Sequence, residues 1–230
     1  MTHVRSLATA VLVIGVSALH ASAAHAQPAS PEPGRLELSI GSLWVGRQAL
    51  GSTSANETTG AGGTFALFHA STELASLRGL EGRVGVRVWR GVEAELVASY
   101  GKPQLKISID TDTENAAPVT AVETIQQITV GAGVVWSVPY RPWGGRLVPF
   151  VTAGAGYLRQ LHQSHTLVDT GETYHLGGGV KYLFLSRPAA RFKGLGVRAE
   201  GRAVAGTKGI AIDHRVHMSP ALTASIFVRF

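Results

Sequence analysis

The chain of 230 residues contains no cysteine. This absence excludes a disulfide framework and a thiolate metal site, so stability has to come from packing and backbone hydrogen bonds. Long apolar runs are also scarce. The run at residues 7–19 is shorter than the roughly twenty residues of a membrane-spanning helix, and Pro28, Pro31 and Pro33 follow it. The sequence therefore does not favour a helical membrane protein.

The same N-terminal run has the features of a secretory signal peptide. Arg5 precedes the apolar residues, and Ala24-His25-Ala26 provides the small-x-small pattern that a signal peptidase cleaves. We predict cleavage after Ala26, so residues 1–26 form a signal peptide and the protein is exported.

The rest of the chain is expected to form one domain. About 204 residues remain, which suits a single barrel or one ordinary domain. We assign residues 27–34 to a short N-terminal periplasmic segment and residues 35–230 to the domain. Removal of Arg5 lowers the formal charge from +6 to +5. Most arginines alternate with apolar residues and do not form a patch, which argues against a nucleic-acid partner.

Apolar and polar residues alternate with a period of two in eight segments, which is the pattern of β-strands. In the last segment, Leu222, Ala224, Ile226, Val228 and Phe230 alternate with Thr223, Ser225, Phe227 and Arg229. The other segments are residues 36–44, 80–88, 92–100, 127–136, 150–157, 175–182 and 195–203. The polar positions carry charges of both signs, so the apolar face is expected to meet lipid and the polar face a barrel lumen.

Connection lengths support the same interpretation. Short links lie around Arg90 and across residues 139–145 and 187–191. Longer, more polar links lie around Thr58, Glu114, Ser164 and Thr207. Short periplasmic turns and long extracellular loops alternate in this way in outer-membrane barrels.

We therefore predict an all-β fold, a single closed antiparallel up-and-down transmembrane β-barrel of eight strands. Ten strands are the alternative, because residues 63–77 either extend the second strand outward or form an extra strand. Pro103 and a shift of the apolar phase after it indicate a bulge or kink before the second long loop. A soluble lipocalin-like barrel, which has an apolar lumen and a polar exterior, is the other alternative.

The charged inward face supplies the candidate site. If the turn pivots on Arg90, Arg87 lies opposite Glu93, and we predict an internal ion-pair network that joins strands two, three and seven. Arg229 is expected to meet Glu37 where the last strand closes on the first. The predicted lumen network comprises Glu37, Glu81, Arg83, Arg87, Glu93, Glu95, Lys181, Arg198, Glu200, Arg202 and Arg229. Side chains fill the interior of an eight-stranded barrel, which favours a closed core over a conducting one.

Aromatic residues concentrate at the strand ends beside the short turns. They predict a periplasmic girdle, where amphipathic rings lie at the membrane surface. The predicted girdle comprises Trp89, Trp136, Tyr140, Trp143, Tyr182, Phe184 and Phe230.

The signal peptide, the repeated alternations, the segment from Val151 to Tyr157 and the terminal Phe230 together resemble the small bacterial outer-membrane β-barrel family. The resemblance is to OmpA-like transmembrane barrel domains without the peptidoglycan-binding domain. It implies export to the bacterial outer membrane, and it implies that Phe230 is an assembly signal. The implied partners are outer-membrane lipid and lipopolysaccharide, with the barrel-assembly machinery and periplasmic chaperones during biogenesis.

The resemblance leaves the function open between two classes. The first is a structural or surface-interaction role through extracellular loops, whose ligand is unknown. The second is a small passive channel or lateral-gate transporter for small or hydrophobic molecules. No enzymatic activity, cofactor or metal ion is expected.

Two histidine motifs are the remaining candidates for chemistry. His217 and Ser219 resemble the His-x-Ser element of lipid A deacylases, but Pro220 follows the serine and no acid lies beyond it. Nucleophilic catalysis requires a positioned base and stabiliser, so a lipid A-modifying hydrolase is only a remote alternative. His162 and His165 are interpreted as solvated loop residues, because their spacing alone does not complete a metal site.

Overall fold

The computed structural model describes residues 34–58, 60–110, 119–140, 142–163, 167–186, 191–210 and 215–230. The predicted signal peptide, residues 1–26, and nearly all of the predicted periplasmic segment lie outside the described residues. Within the described part of the chain, no helix has the length and apolarity needed to cross a bilayer.

Almost all of the described chain is in β-strands. The strands are β1 (Leu36–Val45), β2 (Gln48–Thr58), β3 (Thr64–Leu74), β4 (Leu77–Trp89), β5 (Val92–Gly101), β6 (Gln104–Asp110), β7 (Val119–Thr124), β8 (Gln126–Ser137), β9 (Leu147–Leu161), β10 (Val168–Ser186), β11 (Gly194–Lys208) and β12 (His217–Arg229). A 3-10 turn, Trp143–Gly145, lies between β8 and β9.

Eight of these strands form a closed barrel in the order β1-β12-β11-β10-β9-β8-β5-β4. Neighbouring strands are antiparallel, and the last strand closes on the first in a register that runs from Glu37 opposite Arg229 to Val45 opposite Ala221. Closure pairs every barrel strand on both sides, so no edge is left open. The prediction of a single closed antiparallel barrel of eight strands is confirmed.

Four further strands form a second sheet, the outer sheet, in the order β2-β3-β6-β7. Each continues a barrel strand beyond a short break, as β6 continues β5 after Lys102 and Pro103. Residues 64–74 thus lengthen the second barrel strand, and the ten-strand alternative is wrong. Pro103 lies in the break between β5 and β6, which is a favourable place for proline because it has no N–H to donate to a neighbouring strand. Its carbonyl accepts a hydrogen bond of 2.9 Å from the Ile125 amide.

The polarity of the barrel is the reverse of that of a soluble domain. Outward side chains are large and apolar, and Leu80 and Leu176 are 60% and 69% exposed. Inward side chains carry charge, and Lys181 and Arg198 are 0% and 1% exposed. An apolar exterior of this extent is stable against lipid and not against water. The lipocalin-like alternative, which requires an apolar lumen, is therefore wrong.

Candidate functional site in the barrel interior

The strand pleat directs alternate side chains into the lumen, where six of them form one group at mid-height. We call this group the six-residue cluster. It comprises Glu81 and Arg83 of β4, Glu95 of β5, and Arg198, Glu200 and Arg202 of β11. Their side chains are at most 7% exposed. The cluster crosses the lumen, because β11 is not a neighbour of β4 or β5 in the barrel.

Arg83 connects three carboxylates. Its Nη2 lies 2.6 Å from Glu81 Oε1, and its Nη1 lies 2.8 Å from Glu200 Oε2 and 3.2 Å from Glu95 Oε2. Its Nε also donates to Glu81 Oε1 at 2.8 Å. The planar guanidinium has five N–H donors in a fixed fork, which suits this geometry.

Arg198 and Arg202 complete the six-residue cluster. Arg198 pairs with Glu95, and its Nη2 lies 2.7 Å from Glu200 Oε2. Arg202 pairs with Glu81, and its Nη1 lies 3.6 Å from Glu200 Oε1. Three arginines thus share three glutamates, and the cluster has no net formal charge.

A second group, the four-residue cluster, lies toward the short-turn end of the barrel. Lys181 Nζ is 2.6 Å from Glu37 Oε1 and 3.0 Å from Glu93 Oε2. Arg229 Nε donates to Glu37 Oε2 at 2.7 Å, across the pairing of β1 with β12. Two bases face two acids, so this cluster also has no net formal charge.

Two buried phenylalanines pack against the clusters, and Phe150 contacts both of them. Phe150 has the Arg198 guanidinium 4.4 Å from its ring centroid and Lys181 Nζ at 5.7 Å. Phe227 has the Arg229 guanidinium at 5.0 Å. Cation–π contacts strengthen where water is excluded. At Gly179 an added Cβ would lie 2.8 Å from Glu200 Cα, closer still to the Ala199 carbonyl oxygen and 2.9 Å from Phe150 Cζ, so the absence of a side chain makes room for β11 and for this ring.

The structure thus brings ten of the eleven predicted lumen residues into two charge-balanced clusters. The eleventh, Arg87, is half-buried and lies opposite Glu93 in the β4–β5 register. The Glu93 carboxylate contacts Lys181 from across the lumen. Register determines which residues are opposite on neighbouring strands, whereas contacts across the lumen depend on how the barrel closes.

Three carboxylates, two from the four-residue cluster and one from the six-residue cluster, have a spacing that suits a metal ion. Oxygens of Glu37, Glu93 and Glu95 lie within 4.8 Å of one another. The ammonium group of Lys181 lies between two of these side chains, at 2.6 Å and 3.0 Å. It supplies the positive charge that a metal ion would otherwise bring.

His162 is not a solvated loop residue, and that interpretation is wrong. Its Nδ1 lies 2.9 Å from Glu123 Oε2 of β7, and its Nε2 lies 3.1 Å from Asp169 Oδ2 of β10. Partial burial lowers the pKa of His162, but the hydrogen bonds to the two carboxylates outweigh it and raise the pKa above its ordinary value. His162 therefore ties the outer sheet to the barrel. His165 lies outside the described residues.

Ser219 and His217 do not form a nucleophile and base pair. Ser219 is buried on the lumen face of β12, and its Oγ has no hydrogen-bond partner among the described residues. A serine nucleophile requires a base within hydrogen-bond reach. The lumen orientation also separates this hydroxyl from the lipid that a lipid A-modifying hydrolase would act on.

The predicted girdle residues lie beside the short turns, and most are exposed. Trp143 packs edge-on against Tyr182, with ring centroids 6.5 Å apart, and Phe230 packs edge-on against Phe192 at 6.3 Å. The sequence reasoning missed a second set of aromatic residues at the long-loop end. Tyr100, Tyr157 and Tyr174 are exposed on the outer face there. The sequence signal for this second set was that all three tyrosines occupy outward positions in the alternating pattern.

A closed eight-stranded barrel with an apolar exterior and charge-filled interior is the architecture of the small bacterial outer-membrane barrels. No protein-family model matches the sequence, and no curated protein matches it. Solved structures do match. The outer membrane protein OprG from Pseudomonas aeruginosa has a TM-score of 0.51 and 12% identity, over 86% of this chain and 97% of that chain. At this identity the similarity concerns the fold.

Two further solved structures give lower scores. Neisserial surface protein A has a TM-score of 0.49 and 14% identity, over 89% of this chain and 100% of that chain. The attachment invasion locus protein Ail of Yersinia pestis has a TM-score of 0.45 and 11% identity, over 86% of this chain and 100% of that chain.

Proposed function

We propose that this protein is an integral outer-membrane β-barrel with a closed lumen, and that its role is structural or surface-interacting through the long-loop end. The observation that carries the proposal is the pair of charge-balanced clusters across the lumen, with Lys181 and Arg198 almost completely buried. An ion that crossed the barrel would have to displace side chains whose charges are already paired.

The outward face supports a membrane location. Tyr174 and Tyr182 lie on the lipid side of β10, eight residues apart. At about 3.3 Å per residue and a strand tilt of about 40°, they are about 20 Å apart along the membrane normal. This separation is close to the apolar band of about 25 Å in outer-membrane barrels. The short turns are then periplasmic, and the outer sheet is extracellular.

The outer sheet supports a role at the cell surface. It projects from two barrel hairpins and is rich in hydroxyl side chains, as at Ser52, Thr53 and Ser54, which are all exposed. It also presents exposed apolar side chains at Val119 and Val122 of its edge strand. A sheet edge with unpaired backbone groups is a surface to which another chain can add a strand.

The partners that we propose follow from this location. Outer-membrane lipid and lipopolysaccharide surround the barrel, and the barrel-assembly machinery and periplasmic chaperones act on the chain before insertion. Phe230 supports the proposed action of the assembly machinery, because it follows β12 directly and its ring is exposed beside Phe192. We propose no catalytic role.

Planar-bilayer recording of the refolded protein tests the closed lumen. The wild type is expected to be silent, whereas a variant that loses an acid and a base together, Arg198→Ala with Glu200→Ala, is expected to conduct. The matched control is Arg47→Ala with Glu73→Ala, which removes an exposed pair between the β1–β2 break and β3 and is expected to stay silent. Stable single-step openings of the wild type would instead support the passive-channel alternative.

A further inference from the structure

The long-loop half of the barrel interior is a chamber above the six-residue cluster. Its cavity volume is about 110 Å³. Glu81, Arg202 and His175 lie at its base, and Gln48, Lys208 and Ile210 lie at its rim. The six-residue cluster separates this chamber from the short-turn end, so the chamber is a pocket and not a conduit.

The chamber wall carries both apolar and polar side chains. On the side of β4, β1, β12 and β11, Leu43, Leu77 and Ala221 form an apolar cluster against which Val45 and Val204 pack. The opposite side, from β5, β8, β9 and β10, carries hydroxyl and amide groups. These are Ser99, Gln127, Thr129, Gln160 and Thr173. The first side also carries Arg202 of β11 and Ser219 of β12 beside the apolar cluster, so it can contact both parts of a ligand with an apolar body and one polar end.

Two buried polar atoms on the chamber wall have no hydrogen-bond partner among the described residues. They are Nε of Arg202 and Oγ of Ser219. The β11–β12 register places Ser219 opposite Val204 and Arg202 opposite Ala221, so these side chains are diagonal neighbours on one wall. A buried donor without an acceptor is unfavourable, and together these atoms offer a donor and a hydroxyl to one polar group.

The charge of the chamber base restricts the chemistry of that polar group. The six-residue cluster has three arginines and three glutamates, so Arg202 already has carboxylate partners in Glu81 and Glu200. A ligand anion would bring an unpaired charge into a balanced, buried site, which is strongly unfavourable. An uncharged group such as a hydroxyl can accept a hydrogen bond from Arg202 Nε and form a second one with Ser219 Oγ. Both atoms are then satisfied, and the charge of the site does not change.

We propose that this chamber binds a small uncharged amphiphile, with its hydroxyl or amide head at Arg202 and Ser219 and its apolar body against Leu43, Leu77 and Ala221. The proposal goes beyond the structural role proposed above and does not depend on it. A closed barrel that binds such a molecule would remain electrically silent.

Amide NMR of the protein in lipid nanodiscs tests the proposal, with 2-naphthalenemethanol as the probe. Saturable shifts are expected at the amides of Val204 and Ala221 and not at the four-residue cluster. Naphthalene, which lacks the hydroxyl, and 2-naphthoate, which is charged, are expected to bind at least about tenfold more weakly. Equal or tighter binding of 2-naphthoate would overturn the assignment of an uncharged ligand.

Adjacent residues of β12 provide matched variants. Ala221→Trp fills the chamber from a position that is 1% exposed, whereas Leu222→Trp adds the same ring on the lipid face at a position that is 56% exposed. Only Ala221→Trp is expected to abolish the shifts. Val204→Phe is a smaller filling variant for the case in which Ala221→Trp does not fold.

A third variant tests the head group. Ser219→Ala is expected to reduce the affinity for 2-naphthalenemethanol to that for naphthalene. Shifts that persist in both filling variants, or no saturable shift in the wild type, would contradict the proposal. The second result would mean that the chamber holds only water.

Discussion

The barrel and the outer sheet are built from the same antiparallel pairing, but they are stable for different reasons. In the barrel every strand is paired on both sides, charge is inside and apolar side chains are outside. Within the described residues the outer sheet ends at β2 and β7, each paired on one side, and an apolar cluster of Leu50, Leu74, Leu105 and Ile125 lies at its base. The difference shows that a strand's surroundings, and not its backbone pairing, determine which side chains it buries.

Removal of one buried charge is expected to give the largest difference in stability loss between the barrel and the outer sheet. Arg198→Ala leaves the buried Glu95 and Glu200 short of a cation and is expected to destabilise the barrel by about 3–5 kcal/mol. Arg47→Ala removes an exposed partner of Glu73 in the outer sheet, at 3.6 Å, and is expected to change stability by about 0–1 kcal/mol. Urea unfolding in lipid vesicles measures both. Equal losses would contradict the contrast.

A new charge on the outer face should give the next largest effect. Leu96→Arg puts a cation on the lipid face near the middle of β5 and is expected to destabilise by about 2–4 kcal/mol. Val122→Arg in β7 is similarly exposed but meets water, and is expected to stay within about 0.5 kcal/mol of the wild type. The same unfolding titration applies, and a tolerated Leu96→Arg would place β5 outside the membrane.

The connection between the two regions should depend on pH through His162. Its raised pKa stabilises the fold fully below the ordinary value of 6.5, and this contribution is lost as pH rises through the raised value. Hydrogen bonds from His162 and from the Gln163 amide lower the pKa of Glu123, whose contribution is full above 4.5 and is lost as pH falls through the lowered value. Both contributions are therefore complete between pH 4.5 and 6.5.

Hydrogen exchange of β7 measures this dependence. Protection of β7 amides is expected to fall as pH rises above 6.5 in the wild type and to lose this dependence in His162→Gln, after correction for the intrinsic exchange rate. His69→Gln is the control, because His69 hydrogen-bonds the Ser54 hydroxyl within the outer sheet. A pH dependence that survives in His162→Gln would assign it to another group.

Phe230 should affect assembly more than stability. Its ring is partly exposed, so Phe230→Ala is expected to change the free energy of unfolding by only about 1 kcal/mol. If Phe230 is an assembly signal, the same variant slows insertion into the outer membrane in cells. Phe68→Ala, at a similarly exposed position in the outer sheet, should insert at the wild-type rate. Equal insertion rates would remove the proposed role of Phe230.

The barrel could be predicted from the sequence because lipid and lumen impose opposite polarity on alternate residues. The segments that end in Val88, Tyr100 and Phe230 show this alternation directly. The outer sheet was predicted only in part, as an outward extension of the second strand, because residues such as Ser52, Thr53 and Ser54 show no contrast between alternate positions.

The candidate site could be predicted in part: its residues could, but their contacts across the lumen could not. Alternation identified which charged residues point inward, but the contact of Lys181 with Glu93 joins strands that are not neighbours. The hydrogen bonds of His162 to Glu123 and Asp169 were missed for a different reason. They depend on a loop meeting β7, and neither segment shows a periodic pattern there.

Because the chain has no cysteine, a single-cysteine scan along β12 and β2 tests the contrast between the barrel and the outer sheet most directly. In the barrel, cysteines at Ala224 and Ile226 should react with a lipid-soluble maleimide, and cysteines at Thr223 and Ser225 with neither the lipid-soluble nor a water-soluble reagent. In the outer sheet, cysteines at Ser52, Thr53 and Ser54 should all react with the water-soluble reagent. Rapid labelling of Thr223 and Ser225 positions by the water-soluble reagent would contradict a lumen closed by buried, paired charges.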